Sequence, residues 1–339
     1  MATIRDLPFE LLERILDLAV AEYDLETARS SQARYDYLRG CALISRQFRS
    51  PSQACLWAAL RVHSPGMAKK LLASPVLKAF ATRELSLEGV HSGSDGLSGS
   101  TASRVLSKVV GVRWLRLMDF GRLSLRVLQN EGLSSLRTLY LMTSFPDKST
   151  TITNLQLPFH LRTLHLFNRS YSSTLLPVLF SHSSTTLTSL TLFTSNASPS
   201  YSSLTSAFPS VAPNLVHLSL QHRPSPDLIA SFGHCVRLRT LECSFAVDLA
   251  AVLDALPHTH GLVELSIELD YNLLEVAQVL VSRLEAPPLA RLQKLTIPRA
   301  PAKDEFREFG GQMLLDRCDE RGIAVELGQV VAWRTRLFP

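Results

Sequence analysis

An α/β solenoid of stacked strand-plus-helix repeats is the fold class that this sequence predicts. Two observations carry the prediction. A Leu-x-x-Leu-x-Leu frame recurs as VRWLRL (Val112–Leu117), LRTLYL (Leu136–Leu141), LRTLHL (Leu161–Leu166), LTSLTL (Leu187–Leu192), LVHLSL (Leu215–Leu220), LRTLEC (Leu238–Cys243), LVELSI (Leu262–Ile267) and LQKLTI (Leu292–Ile297). A worn copy, TRELSL, sits at Thr82–Leu87, and successive copies start 23 to 30 residues apart. Between copies lie stretches with helical spacing, such as TASRVLSKVVG, DLIASFGHC, DLAAVLDAL and LLEVAQVLVSRLE. Periods of this size on that apolar frame mark leucine-rich repeats, whose parallel strands line the inner face of a horseshoe.

Residues 1–63 do not share the frame and read as a small all-helical module. Asp6-Leu7-Pro8-Phe9-Glu10 opens its first helix, with Pro8 suited to the first turn and Glu10 to the positive helix start. Leu11, Leu12, Ile15, Leu16 and Ala19 follow at helical spacing as one apolar stripe. The polar segment Ala21–Tyr37 reads as an extension of that helix and a solvated loop. A second helix is expected around Cys41–Phe48, and a third after Pro51 through Ala54, Leu56, Trp57 and Leu60. Residues 64–81 form a joint, with Pro65 starting a helix and Pro75 following its end.

The repeats then occupy 82–302, and 303–328 form a terminal cap: a charged helix, a turn at Gly322 and a strand at Ile323–Leu327. The tail 329–339 is unassigned. The Gly/Ser-rich loop His91–Ser100 is expected to be mobile, and Thr194–Ser206 forms a second low-complexity loop.

Along each strand the last two apolar residues of the frame point inward, and by the two-residue period their neighbours point outward. That register places Trp114, Arg116, Tyr140 and His165 on the exposed face of the early repeats and Glu242, Glu264 and Glu268 on that of the later ones. Outward aromatics beside an arginine have the composition of a protein-binding hot spot, and the acidic group suits a basic segment of the same target.

The 339 residues are 46% hydrophobic and 19% charged, ample for a core, and the net charge of +5 is spread too thinly to track phosphates. No apolar run is long enough for a membrane span, and the first residues carry acidic side chains unlike a secretory signal. Five scattered cysteines without a Cys-x-x-Cys pair read as reduced, partly buried thiols in the cytoplasm or nucleus. Ten histidines include His258 and His260 in one loop, but no His-Glu-x-x-His pattern, phosphate loop or nucleophile elbow is present. The expectation is a binding protein without catalytic residues, metal or cofactor.

The segments LPFELLERIL (Leu7–Leu16) and CALISRQFRSPSQACLWAAL (Cys41–Leu60) carry a resemblance. Their order, Leu-Pro-x-Glu-Leu-Leu, then Leu-x-Ser-Arg-x-Phe-Arg, then Leu-Trp, is similar to that of the F-box proteins. The gap after the first helix is longer here than is usual in that family. The resemblance implies docking on the Skp-type adaptor of a cullin-based ubiquitin ligase. It implies Leu7, Pro8, Leu11, Ile15, Leu16, Phe48, Leu56 and Trp57 as docking or supporting positions. The chain would then be a substrate receptor, with the target held on the concave face of the repeats. The alternative is a leucine-rich-repeat scaffold that acts outside a ubiquitin ligase.

Overall fold

A computed structural model describes residues 7–23, 25, 27–89, 96–121, 123–145, 156–167, 171, 173–193, 201–244, 246–258, 261–268, 273–298, 300 and 303–328. The tail, the first half of the Gly/Ser-rich loop, the first half of the Thr194–Ser206 loop and His260 lie outside these residues. The protein is α/β, and its chain forms two compact units, 1–161 and 162–339.

The first unit opens with helices α1 (Phe9–Ala19), α2 (Ala28–Ile44) and α3 (Arg46–Ala58). Pro8 is the N-cap of α1, one position earlier than the first turn in which the sequence placed it, and Glu10 does lie in that first turn. The polar segment departs from expectation. Residues 28–37 do not extend α1; they form the first half of α2, which starts at an N-cap where the Thr27 hydroxyl accepts from Ser30 N at 3.1 Å. A Gln32–Asp36 hydrogen bond spans one turn of α2, and Arg34, on the same helix, is buried and donates to the Cys55 carbonyl at 2.9 Å. Phe48 also changes element: α3 begins at Arg46 and runs through Pro51, with the extended residue Ser45 as the only break from α2. Pro51 forfeits one backbone hydrogen bond, yet Pro51, Ser52, Cys55 and Ala58 are all buried, and packing holds the helix together. Leu16, Val20, Leu38, Cys41 and Cys55 form the core of the three helices, with Tyr23, Phe48 and Leu56 against it.

The sheet of this unit begins earlier than the repeat frame suggested. Strand β1 (Ala59–Val62) follows α3 directly and pairs in parallel with β2 (Glu84–Glu88), Leu60 beside Leu85 and Val62 beside Leu87. The segment between them holds helix α4 (Pro65–Ala73), capped by the Ser64 hydroxyl with Pro65 in its first turn. After β2 come α5 (Gly99–Leu106), β3 (Trp114–Met118) and β4 (Thr138–Met142), each strand parallel to the one before. Among the described residues no α-helix joins β3 to β4. Two 3₁₀ turns, Leu125–Gln129 and Glu131–Leu133, replace the helix expected in each repeat. The second turn packs closely on the preceding segment, since a Cβ on Gly132 would meet the carbonyls of Val109 at 2.7 Å and Leu106 at 2.9 Å.

The second unit repeats the scheme. Its strands are β5 (Thr163–Phe167), β6 (Ser189–Phe193), β7 (His217–Leu220), β8 (Thr240–Cys243), β9 (Glu264–Ile267), β10 (Lys294–Ile297) and β11 (Ala324–Leu327). They are parallel and pair in chain order, from β5 beside β6 to β10 beside β11. The returning segments carry α6 (Leu175–Ser183), α7 (Tyr201–Ala207), α8 (Pro226–Ala230), α9 (Leu249–Ala255) and α10 (Leu273–Arg283). The last repeat has α11 (Lys303–Phe306) and α12 (Gln312–Glu320) around a short π-helical turn. It ends as the sequence predicted. Gly322 adopts φ +65°, Ile323 N donates to Cys318 O at 2.8 Å and Gly322 N to Asp319 O at 3.0 Å, a Schellman turn that leads into β11.

In both units the inward residues of the frame form leucine ladders. Leu85, Leu115 and Leu139 stand side by side in register, as do Leu190, Leu218, Leu241 and Leu265, and all are at most 1% exposed. Leu139→Ala is therefore expected to cost about 2–5 kcal/mol. Leu18, 60% exposed on α1, should tolerate alanine within about 0.5 kcal/mol. Chemical denaturation of the two variants checks this, and equal losses would contradict it.

Candidate interaction surfaces

The single apolar stripe expected on α1 is two stripes. At about 100° per residue, Leu12 and Leu16 share the face that enters the module core. Leu11, Ile15 and Leu18 share another face and stay 50%, 47% and 60% exposed. A third face carries Glu13 and Asp17, which accept from Arg83 at 3.1 and 3.3 Å and tie α1 to the start of β2. The outward stripe is thus left uncovered while the helix itself is held on both flanks.

The other module positions divide accordingly. Leu16 is 2% exposed and supports the fold from within, so it offers nothing to a partner. Phe48 and Leu56 are half-buried against the core; Leu7 and Trp57 are half-buried, and Pro8 is exposed. Leu18, Leu43 and Ile44 were missed by sequence reasoning, although the last two are 76% and 72% exposed at the end of α2. For Leu18 the signal was available in the i, i+4, i+7 spacing from Leu11.

Beneath α1 lies a buried polar group. The Cys55 thiol donates to Asp17 Oδ1 at 3.3 Å, and burial, followed by the charge of Asp17, pushes its pKa up to about 12. Burial alone raises Cys235 to about 12, and burial against a weaker opposing effect of Arg321 raises Cys318 to about 11. Cys243 is likewise raised, chiefly by burial. These groups are thiols rather than thiolates at neutral pH and make poor nucleophiles or metal ligands. Among the described residues, no three His, Cys, Asp or Glu side chains are placed to hold a metal ion, and no helix is long and apolar enough to cross a membrane.

On the strands, period-two alternation does put Trp114, Arg116 and Tyr140 on the face opposite the leucines. They are not open to solvent, however: Trp114 is 5%, Arg116 9% and Tyr140 4% exposed. Parallel pairing in register sets Ser86, Arg116 and Tyr140 beside one another, and neighbours at ~4.8 Å shield each other. The Trp114 and Tyr140 rings meet at 5.2 Å with a 53° tilt, and Arg116 Nη2 lies 3.8 Å from Met142 Sδ. Upstream in the same sheet Arg61 grips Glu88 through two hydrogen bonds of 2.5 and 3.0 Å. This row is a packed polar and aromatic layer in the free chain. An anchor already covered has little area left to bury on a partner, which reduces the hot-spot contribution expected of it.

In the second unit His165 is 1% exposed. Burial, reinforced by the nearby His217, lowers its pKa to about 3. The acidic residues expected to form an open patch are also drawn in. Glu242 and Glu268 are buried, with Glu242 Oε2 3.7 Å from His217 Nε2. Glu264 is half-buried and stands in register beside Lys294, which bridges Glu326 at 2.7 Å. Partial burial and these partners leave less free charge to steer a target than the sequence implied. At the strand ends, the Phe167 and Phe193 rings stack at 4.1 Å and 4°.

No protein-family model matches this chain, and no curated protein matches it.

The depressed pKa of His165 makes a pH prediction. An unfolded histidine takes a proton near pH 6.5, whereas folded His165 resists until about 3. Between these values the unfolded state binds the extra proton, so the stability contribution present above pH 6.5 is lost as pH falls. The stability difference between wild type and His165→Asn should shrink by up to about 1.4 kcal/mol per pH unit below 6.5. Urea titrations across that range test it; a pH-independent difference would contradict it.

Proposed function

We propose that this chain is a non-enzymatic receptor: its helical module docks on a Skp-type adaptor, and its repeats present a target protein to a cullin-based ubiquitin ligase. The observation that carries this reading is the uncovered stripe Leu11, Ile15 and Leu18 on a helix that opens with Leu7-Pro8. Three exposed apolar side chains in line on an otherwise anchored helix suit a partner that closes over them. Exposed Leu43 and Ile44, in the Cys41–Leu60 segment that is similar to the F-box, add to the apolar surface. The tandem parallel strands and the Leu-x-x-Leu-x-Leu frame support the finer reading of the repeats as a leucine-rich-repeat solenoid.

The mechanism asks no bond chemistry of the chain. Holding the target and the ligase core on one polypeptide raises the effective concentration of target lysines near the ubiquitin-carrying enzyme. The work would take place in the cytoplasm or nucleus, where protonated, unpaired thiols are the norm.

The test is co-purification with the Skp-type adaptor. Leu11→Glu with Ile15→Glu should leave the melting temperature unchanged, because both side chains are solvent-facing, and weaken capture about 100-fold or more. Wild-type capture by the folded double variant would refute the docking assignment. Capture of the adaptor without a cullin would favour the scaffold that acts outside a ligase.

A further inference from the structure

The second unit carries a groove of about 770 Å³ at the edge where its strands begin. Arg237, Arg239 and Arg291 line it together with Val216, Val236 and Val263, and no lining residue is acidic. The three arginines are exposed and the three valines half-buried. Leu238, between two of the arginines, is buried, whereas Arg237 and Arg239 are both exposed and both line the groove. Arg237 Nη1 donates to Asn214 Oδ1 at 3.3 Å, and among the described residues its other donors have no side-chain partner. Among the described residues neither the Arg239 nor the Arg291 side chain has an acidic partner.

Backbone geometry fixes this arrangement. The amides just ahead of the strands are spent on the sheet: Arg239 N donates to Val216 O at 2.8 Å, Val263 N to Arg239 O at 2.8 Å and Gln293 N to Val263 O at 2.9 Å. A Cβ on Gly261 would lie 3.0 Å from Arg291 Cβ and 3.1 Å from its backbone nitrogen. Glycine there lets the Arg291 turn close onto the groove floor. From the start of β7 to the start of β10 are three strand steps, or ~14 Å, the reach of about four extended residues.

We propose that this groove binds an extended acidic peptide segment of a partner protein, in which glutamate or aspartate alternates with aliphatic residues. The arginine rim supplies planar forks that pair carboxylates, and the valine floor receives the side chains that point the other way. No aromatic side chain lines the groove to stack a base, which favours a peptide over single-stranded nucleic acid. The groove belongs to the second unit and does not depend on adaptor docking.

Fluorescence anisotropy on the full chain tests the proposal, with a short labelled peptide of alternating glutamate and valine as the probe. Arg239→Gln and Arg291→Gln should each weaken binding about tenfold, and a peptide with glutamine for glutamate should bind at least that much more weakly. Arg223→Gln removes an exposed charge outside the groove and should change nothing. Equal binding of the glutamine peptide would overturn the proposal. So would an equal loss in Arg223→Gln, which would reduce the effect to bulk charge. Tighter binding of an oligothymidylate would overturn it in favour of a phosphodiester site.

Discussion

In-register parallel pairing of the leucine ladders is the constraint on which the remaining structure depends. When Leu85, Leu115 and Leu139 stand side by side, each neighbouring position along the strands is also matched to its like. A one-residue slip would send every leucine to the opposite face, so the buried ladder locks the register firmly. The consequences reach the other face of the strands. Arg116 is set beside Tyr140, and Ser219 beside Glu242, because their flanking leucines are paired. Polar and aromatic side chains in such rows shield one another at the ~4.8 Å strand spacing. Outward orientation and solvent exposure are therefore different properties here, and His165 shows the extreme: it faces away from the leucines yet stays buried and neutral.

The helical module solves the opposite problem. Three short helices have little apolar surface to share, and this module still leaves Leu11, Ile15 and Leu18 uncovered. What lets it do so is the division of α1 into faces: Leu12 and Leu16 secure the core, while Glu13 and Asp17 fasten the helix to Arg83. With those two faces anchored, the third is free for a partner on the proposed reading. The strand β1 continues directly from α3 into the sheet, so the module and the first repeats share one compact unit.

Much of the fold was legible in the sequence, because a leucine frame repeated every 23 to 30 residues leaves few alternatives. All nine copies of the frame are strands, and the terminal helix, Gly322 turn and final strand follow the expected order. Strand β1 was hidden because Trp57 and Val62 replace leucines; Trp57-x-x-Leu60-x-Val62 is the same frame about one period before Thr82. The length of α2 was hidden because residues 28–37 are polar, and tertiary contacts of Arg34 rather than an apolar stripe hold them. The site was less legible than the fold. Period-two alternation correctly assigned Trp114, Arg116 and Tyr140 to a face, but nothing in one strand's sequence reports how closely its neighbours cover that face. The arginine groove escaped notice because Arg237, Arg239 and Arg291 come from two separated repeats and precede the strands instead of lying within them.

On the proposed reading, labour is divided between an outward helix face that docks and a tightly registered sheet that does not rearrange to permit it. Hydrogen–deuterium exchange of the chain, alone and with a Skp-type adaptor, tests this division. New protection is expected only at 9–19 and 41–58, with the strand amides of both units slow and unchanged. Protection gained on the strands while α1 exchanges as before would contradict it.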